Sequence, residues 1–105
     1  MSYKWPDKDK DEIVDYSVDW SRFLGEDNVA GAVWFIKDTS GVSTLVDDAG
    51  IVNGLQFVTG TISGKVSTAR FSLGINNTRY TVVCRITTSS GLQYERSIFL
   101  RVREK

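Results

Sequence analysis

The sequence predicts an all-β protein: a single antiparallel β-sandwich of about seven strands with one short helical turn near residues 19–25. Two adjacent arms near the carboxyl end carry most of that prediction. In the first, Tyr80, Val82, Cys84 and Ile86 fall on one face, while Thr81, Arg85 and Thr87 fall on the other. In the second, Ile98, Leu100 and Val102 alternate with Phe99, Arg101 and Arg103. A period of two over both arms means two half-buried strands, and the Ser89-Ser90-Gly91 step between them suits a hairpin whose glycine takes the left-handed position. The other observation is the spacing upstream. Short apolar runs are separated by turn signals, with almost no helical periodicity, which is the pattern of a sandwich.

Residues 1–12 read as a charged N-terminal arm rather than a strand, leaving residues 13–105 as the sandwich domain. Trp5 is the one large apolar group of the arm, and it either folds back onto the domain or docks on a partner. Residues 13–18 form a first strand with Val14, Tyr16 and Val18 toward the core. Asp19 is a suitable N-cap and Gly25 a suitable stop, so one or two helical turns fit between them, with Trp20, Phe23 and Leu24 on one face. Residues 29–37 form a strand that is apolar on both faces, Ala30, Ala32, Trp34 and Ile36 on one and Val29, Val33 and Phe35 on the other. The face with Phe35 is the outward one and is a candidate contact surface.

Residues 38–54 carry a chain of turn signals, with a short strand at 42–46 among them. Residues 55–62 are strand-like, with Gly60 as a kink or bulge. In the strand at 66–73, Ala69, Phe71 and Leu73 are in phase. Residues 74–77 then turn the chain into the closing hairpin. Tyr80 stands where a tyrosine corner would place it, its hydroxyl bonding back to the backbone of the 75–78 turn, since a buried phenol needs such a partner.

Composition narrows the function. A chain of 105 residues is one domain, and its 13 acidic and 13 basic residues balance. That speaks against disorder and against a strongly basic nucleic-acid binder. No apolar run approaches the ~20 residues that cross a bilayer, and the start has no apolar stretch of a secretory signal, so folding in a cytoplasm is expected. There is no histidine, which removes Ser-His and Cys-His nucleophile systems. One cysteine without histidine gives too few ligands for a structural zinc site, and Cys84 is in phase with the core, so it is expected to be a buried thiol. Asp7-x-Asp9-x-Asp11 resembles a calcium loop but has Glu12 where glycine is needed and Val18 where the closing Glu belongs. Gly60 to Lys65 resembles a phosphate loop but is one residue short, with Val66 in place of the hydroxyl. No catalytic residue, cofactor or metal ligand is singled out, and a non-enzymatic protein is expected.

The even balance hides an asymmetry. Residues 1–27 hold eight acids against four bases, and residues 79–105 hold six bases against two acids. Either one end lies over the other within the monomer, or both are simply solvated, or copies pair head to tail in an assembly.

Two separated segments carry a family resemblance. Asp15-Tyr16-x-x-Asp19-Trp20-x-x-x-Leu24-Gly25 follows the charged arm. The closing segment holds Tyr80, Val82, Ile86, Thr87, Thr88, Gly91, Glu95, Arg96, Ser97, Leu100 and Val102, and Trp34 sits on a strand between them. In order and spacing the chain resembles the fibre-tail adaptors of tailed bacteriophages, over nearly its whole length. The resemblance implies an Ig-like β-sandwich in the virion, at the neck or tail, joining a tail or neck component to tail fibres, with copies of itself around the tail axis. It implies other phage structural proteins as partners, no nucleic acid and no membrane, and synthesis in the host bacterial cytoplasm. Phe35 and Phe99 stand where the family more often has small polar residues, and Ser72 replaces a frequent large aromatic. Phe35 and Phe99, together with Trp5, are expected as apolar anchors for a partner unless a second layer of the same chain covers the two phenylalanines, and Arg101 and Arg103 as partners for its acidic groups. The rival readings are a glycan-binding recognition module on the virion, for which the loop at 38–53 has Asp and Asn but no aromatic, and a capsid decoration protein.

Overall fold

A computed structural model describes residues 3–37, 41–46 and 50–104. Its elements, in chain order, are β1 (Tyr3–Lys4), β2 (Val14–Asp19), α1 (Ser21–Leu24), β3 (Val29–Lys37), β4 (Ser43–Val46), β5 (Gly50–Val52), β6 (Leu55–Ser63), β7 (Val66–Leu73), β8 (Thr78–Thr88) and β9 (Gln93–Val102). Two sheets face each other, one in the order β1-β9-β8-β3-β4 and the other β2-β7-β6-β5. All pairings are antiparallel except that of β1 with β9. The expected sandwich is present. The expected turn signals at Asp38-Thr39-Ser40 and Asp47-Asp48-Ala49 lie outside the described residues.

The closing hairpin forms as its alternation dictates. Tyr80, Val82, Cys84 and Ile86 of β8, and Ile98, Leu100 and Val102 of β9, are each at most 1% exposed. Burying a side chain of this size stabilises by roughly 1.5–3 kcal/mol against leaving it in water, so this pair of strands anchors the core. Gly91 closes the hairpin at φ +92°, a conformation that favours glycine. The Tyr80 hydroxyl accepts the Ile75 N–H at 2.9 Å, as the tyrosine corner requires, and also donates to the Asn53 carbonyl at 2.6 Å. From the facing sheet come Tyr16, Val18, Leu55, Phe57, Ala69 and Phe71, all buried.

Several elements differ from the sequence-based expectation, each for a local reason. Residues 1–12 are not simply an arm without strand: Tyr3 and Lys4 pair with Ile98 and Phe99 at the edge of β9, and Lys8 bridges to Val102. The edge of β9 offers the backbone partners that the polar composition of this stretch conceals. In β3 the pairing steps from Val29 opposite Thr88 to Gly31 opposite Thr87, so Ala30 is an extra residue. This bulge returns Val29 to the buried side and leaves Ala30 exposed. In β6 the bulge falls at Val58 rather than Gly60. Gly60 has a different role, since a Cβ there would lie 3.1 Å from both the Phe57 and Trp34 rings. Leu73 takes φ +61° and is half exposed, turned out of the phase set by Ala69 and Phe71.

The helical turn is where expected, but Asp19 is not its N-cap residue. That position is Trp20, while Asp19 lies one residue earlier and accepts the Ser21 N–H at 2.9 Å and the Ser21 hydroxyl. Trp20 and Leu24 are buried, whereas Phe23 is 44% exposed, with the Arg96 guanidinium 4.5 Å from its ring centroid.

Candidate functional site

The inward set on β8 fixes the outward set: Arg79, Thr81, Val83, Arg85 and Thr87. Register then decides what stands beside them on the outer face of the larger sheet. Phe35 is opposite Val83, and Leu45 is opposite Phe35 on its other side. Phe99 is opposite Thr81, Arg101 opposite Arg79, and Glu95 opposite Arg85. Opposed residues of an antiparallel pair share a face, so Leu45, Phe35, Val83 and Phe99 form one apolar strip across four strands. Val83 is 3% exposed although it points outward, so its neighbours close over it. Phe35 and Phe99 are themselves half-buried, and Leu45 is 57% exposed.

Arginines frame the strip. The Arg79 guanidinium lies 4.8 Å from the Phe99 ring centroid and that of Arg85 lies 5.0 Å from Phe35. Such contacts are worth about 0.5–1 kcal/mol at exposed positions, and they hold the aromatic edges in place. Arg85 is also bound to Glu95, Nε to Oε2, at 2.9 Å. Arg79 and Arg101 face each other in register, a like-charge pair that disfavours the monomer slightly. Lys4 opposite Phe99 and Lys37 opposite Thr81 add to the positive face.

Of the five residues singled out in the sequence, Phe35, Phe99 and Arg101 come together on this face. Arg103 lies at its margin, past the end of β9, with its guanidinium 3.5 Å from Asp7 and its N–H bonded to the Lys8 carbonyl. Trp5 is elsewhere. It is 8% exposed, stacked on Tyr16 at 4.8 Å, near Trp34 and Phe71, and its indole N–H donates to the Ser17 carbonyl. The ring is spent inside the monomer. Sequence reasoning missed Val83, Arg79, Arg85 and Leu45 as members of the face. Outward alternation on β8 was the signal for the first three, and for Leu45 only the pairing of β4 reveals it.

The outer face of the smaller sheet is different in kind. There Asp15 and Arg70 form an exposed ion pair at 2.7 Å, whose hydrogen bond holds the Asp15 carboxyl below its ordinary range, and Ser17 meets Thr68. The buried Cys84 thiol is pushed up to about 11 by its burial, only partly offset by the contact with Ser67. A thiol so placed is a small core residue rather than a nucleophile. The carboxylates of the acidic stretch serve local turns: Asp9 Oδ1 accepts the Asp11 N–H and Glu12 Oε1 accepts the Asp9 N–H. Among the described residues no three potential ligands converge on a metal position.

No curated protein matches the chain. The family model of the podophage GP4 fiber-tail adaptor protein gp77 matches residues 8–101, which span everything from Lys8 through β8 to all but the last residue of β9. Every strand but β1, including the closing hairpin short of Val102 and the framed aromatic strip, falls within that match, and the protein belongs to the podophage GP4 fiber-tail adaptor family gp77.

Proposed function

We propose that the protein is a non-enzymatic structural adaptor of a phage virion, joining a tail or neck component to tail fibres in several copies around the tail axis. It is made in the host bacterial cytoplasm and resides in the particle. The family supports the adaptor role. The observation that carries the choice of surface is the strip of Leu45, Phe35, Val83 and Phe99 framed by arginines on the outer face of the larger sheet. Aromatic and arginine side chains at the centre of a patch are the usual anchors of protein interfaces. Phe35 and Phe99 supply apolar contact, and Arg101, with Arg103 at the margin, meets acidic groups of the partner. Trp5 acts indirectly, by holding β1 on the edge of β9.

The test is a pair of variants, Phe35→Thr and Phe99→Thr, scored for melting and for incorporation into purified particles. Folded variants with incorporation reduced by about tenfold or more support the reading, because a central anchor is worth upward of about 2 kcal/mol. Normal incorporation of both variants would remove this face from the interface. Particle mass spectrometry then gives the copy number, and hundreds of copies per particle would move the protein from the tail to the shell.

A further inference from the structure

Of the four asparagines in the chain, Asn28, Asn53, Asn76 and Asn77, only Asn53 precedes a glycine. That step is chemically the most reactive kind, because no Cβ on the following residue shields its amide nitrogen. The fold leaves no choice of residues here. Val52 pairs with Leu55, so Asn53 and Gly54 are the two central residues of the β5–β6 hairpin, with φ of +48° and +85°. A two-residue turn with both values positive is the one that favours Asn-Gly. Packing also requires the glycine, since a Cβ at Gly54 would stand 2.9 Å from Ile75 Cγ1.

The same turn is clamped. The Tyr80 hydroxyl accepts the Ile75 N–H, so its own proton goes to the Asn53 carbonyl, at 2.6 Å. The Gly54 carbonyl accepts the Gly74 N–H at 2.9 Å. Asn53 itself is exposed, so water reaches its side-chain amide. Ring closure between the Gly54 nitrogen and the Asn53 side-chain carbon requires that nitrogen to lie on the side of Cβ. In the left-handed conformation of this turn it stands nearly opposite Cβ. The peptide between the two residues must therefore swing over, which takes the Asn53 carbonyl off Tyr80. The clamp holds the very group that has to move.

We propose that Asn53 is a site of spontaneous deamidation, gated by the Tyr80 hydroxyl, at a rate set by local opening of the turn. With the clamp open, the Gly54 nitrogen attacks the side-chain carbonyl carbon of Asn53 and gives up its proton to water. The amide group takes up a proton and leaves as ammonia, and a five-membered imide closes. Water then opens the imide. Breaking the bond to the side-chain carbon leaves aspartate. Breaking the bond to the main-chain carbon leaves isoaspartate, which puts an extra methylene into the backbone of the turn. No oxidant or reductant takes part. Either product adds a negative charge to a chain whose formal charge is zero. The longer isoaspartate backbone no longer fits a two-residue turn, so the modification leaves the clamp open. The inference is independent of the adaptor reading.

The test is incubation of the full chain in mildly alkaline buffer, followed by peptide mass mapping with an assay for isoaspartate. Product at Asn53 should form readily in urea-unfolded protein and far more slowly in the folded wild type. Tyr80→Phe removes the clamp and should speed the folded-state reaction about tenfold. Ile86→Val, a core change away from the turn, should leave the rate at the wild-type value, which separates local from global opening. If Tyr80→Phe does not fold, Ile75→Ala, which removes the side chain packed on Gly54, should speed the reaction instead. Equal rates in the folded wild type and the unfolded chain would overturn the gate. So would an unchanged rate in the clamp variant, or equal acceleration by Ile86→Val. An unfolded chain that gains no product at Asn53 would overturn the site itself.

Discussion

The Tyr80 hydroxyl joins two turns that are distant in sequence, accepting from the Ile75 N–H and donating to the Asn53 carbonyl. Tyr80→Phe leaves both backbone groups without that partner, at a cost of about 1–3 kcal/mol. The expected outcome in urea is a lower midpoint with an unchanged slope. The bond to the nearby turn was legible in the sequence, because the residue stands just after it. The bond to Asn53 was not, because it depends on how β5 and β6 sit against β8. Buried acids set the alkaline limit, the Tyr80 phenol among them, pushed up by its burial. The Tyr16 phenol is pushed up to about 12, by burial first and then by Glu12 and Asp7, and the Cys84 thiol to about 11 by burial. Both folded values lie above the ordinary ones of 10.0 and 9.0. Their contribution to stability is therefore complete below those ordinary values and is lost as pH rises through the folded ones. Urea midpoints should be flat up to pH 9 and fall between there and pH 12, and Cys84→Ala should remove the lower part of that fall. A thiol reagent applied at neutral pH should leave Cys84 unmodified until the protein unfolds.

At the scale of elements, the N-terminal segment gave the least away. Its charges suggest a solvated arm, yet Lys8 is 0% exposed, its ammonium donating to the Asp9 and Leu73 carbonyls at 2.8 and 2.7 Å. Tyr16 adds a hydroxyl bond to the Pro6 carbonyl. These contacts and the stacked Trp5 hold β1 on β9. Trp5→Ala should therefore cost about 3–5 kcal/mol, as expected for a large buried aromatic, while Lys10→Ala at an exposed position should stay within about 0.5 kcal/mol. A matching loss for both variants, measured by chemical denaturation, would mean that the segment is not docked in solution. The strand β3 teaches the same lesson on a smaller scale. Its alternation was readable from Gly31 onward, but the bulge at Ala30 is imposed by the pairing with β8, and local pattern carries no trace of it.

For the molecule as a whole, the charge asymmetry of the two chain ends is resolved only in part internally. Asp7 meets Arg103, but Asp15 is taken by Arg70, and Arg79 and Arg101 face each other across β8 and β9. Arg79 and Arg101 thus leave a positive patch on the outer face, beside Arg85, which is paired with Glu95. Arg101→Glu places an acid opposite Arg79, and the pair should add roughly 0.2–1 kcal/mol to the stability of the isolated protein. The same change should reduce incorporation into particles, if acidic groups of a partner meet this face. A variant that is more stable and fully incorporated would separate Arg101 from binding.

Alternation of apolar and polar residues, turn chemistry and the absence of histidine sufficed, without coordinates, to determine a two-layer β protein closed by the hairpin of β8 and β9, and to rule out the common histidine chemistries. Those features are local: a period of two, or a glycine at a turn, is dictated by the residues themselves. Only the tertiary structure decided that Trp5 and Lys8 lie inside and that Phe35, Val83 and Phe99 share one strip. Each of these depends on which strand lies beside which and in what register, and register is set by pairing across the whole sheet, between residues far apart in the chain.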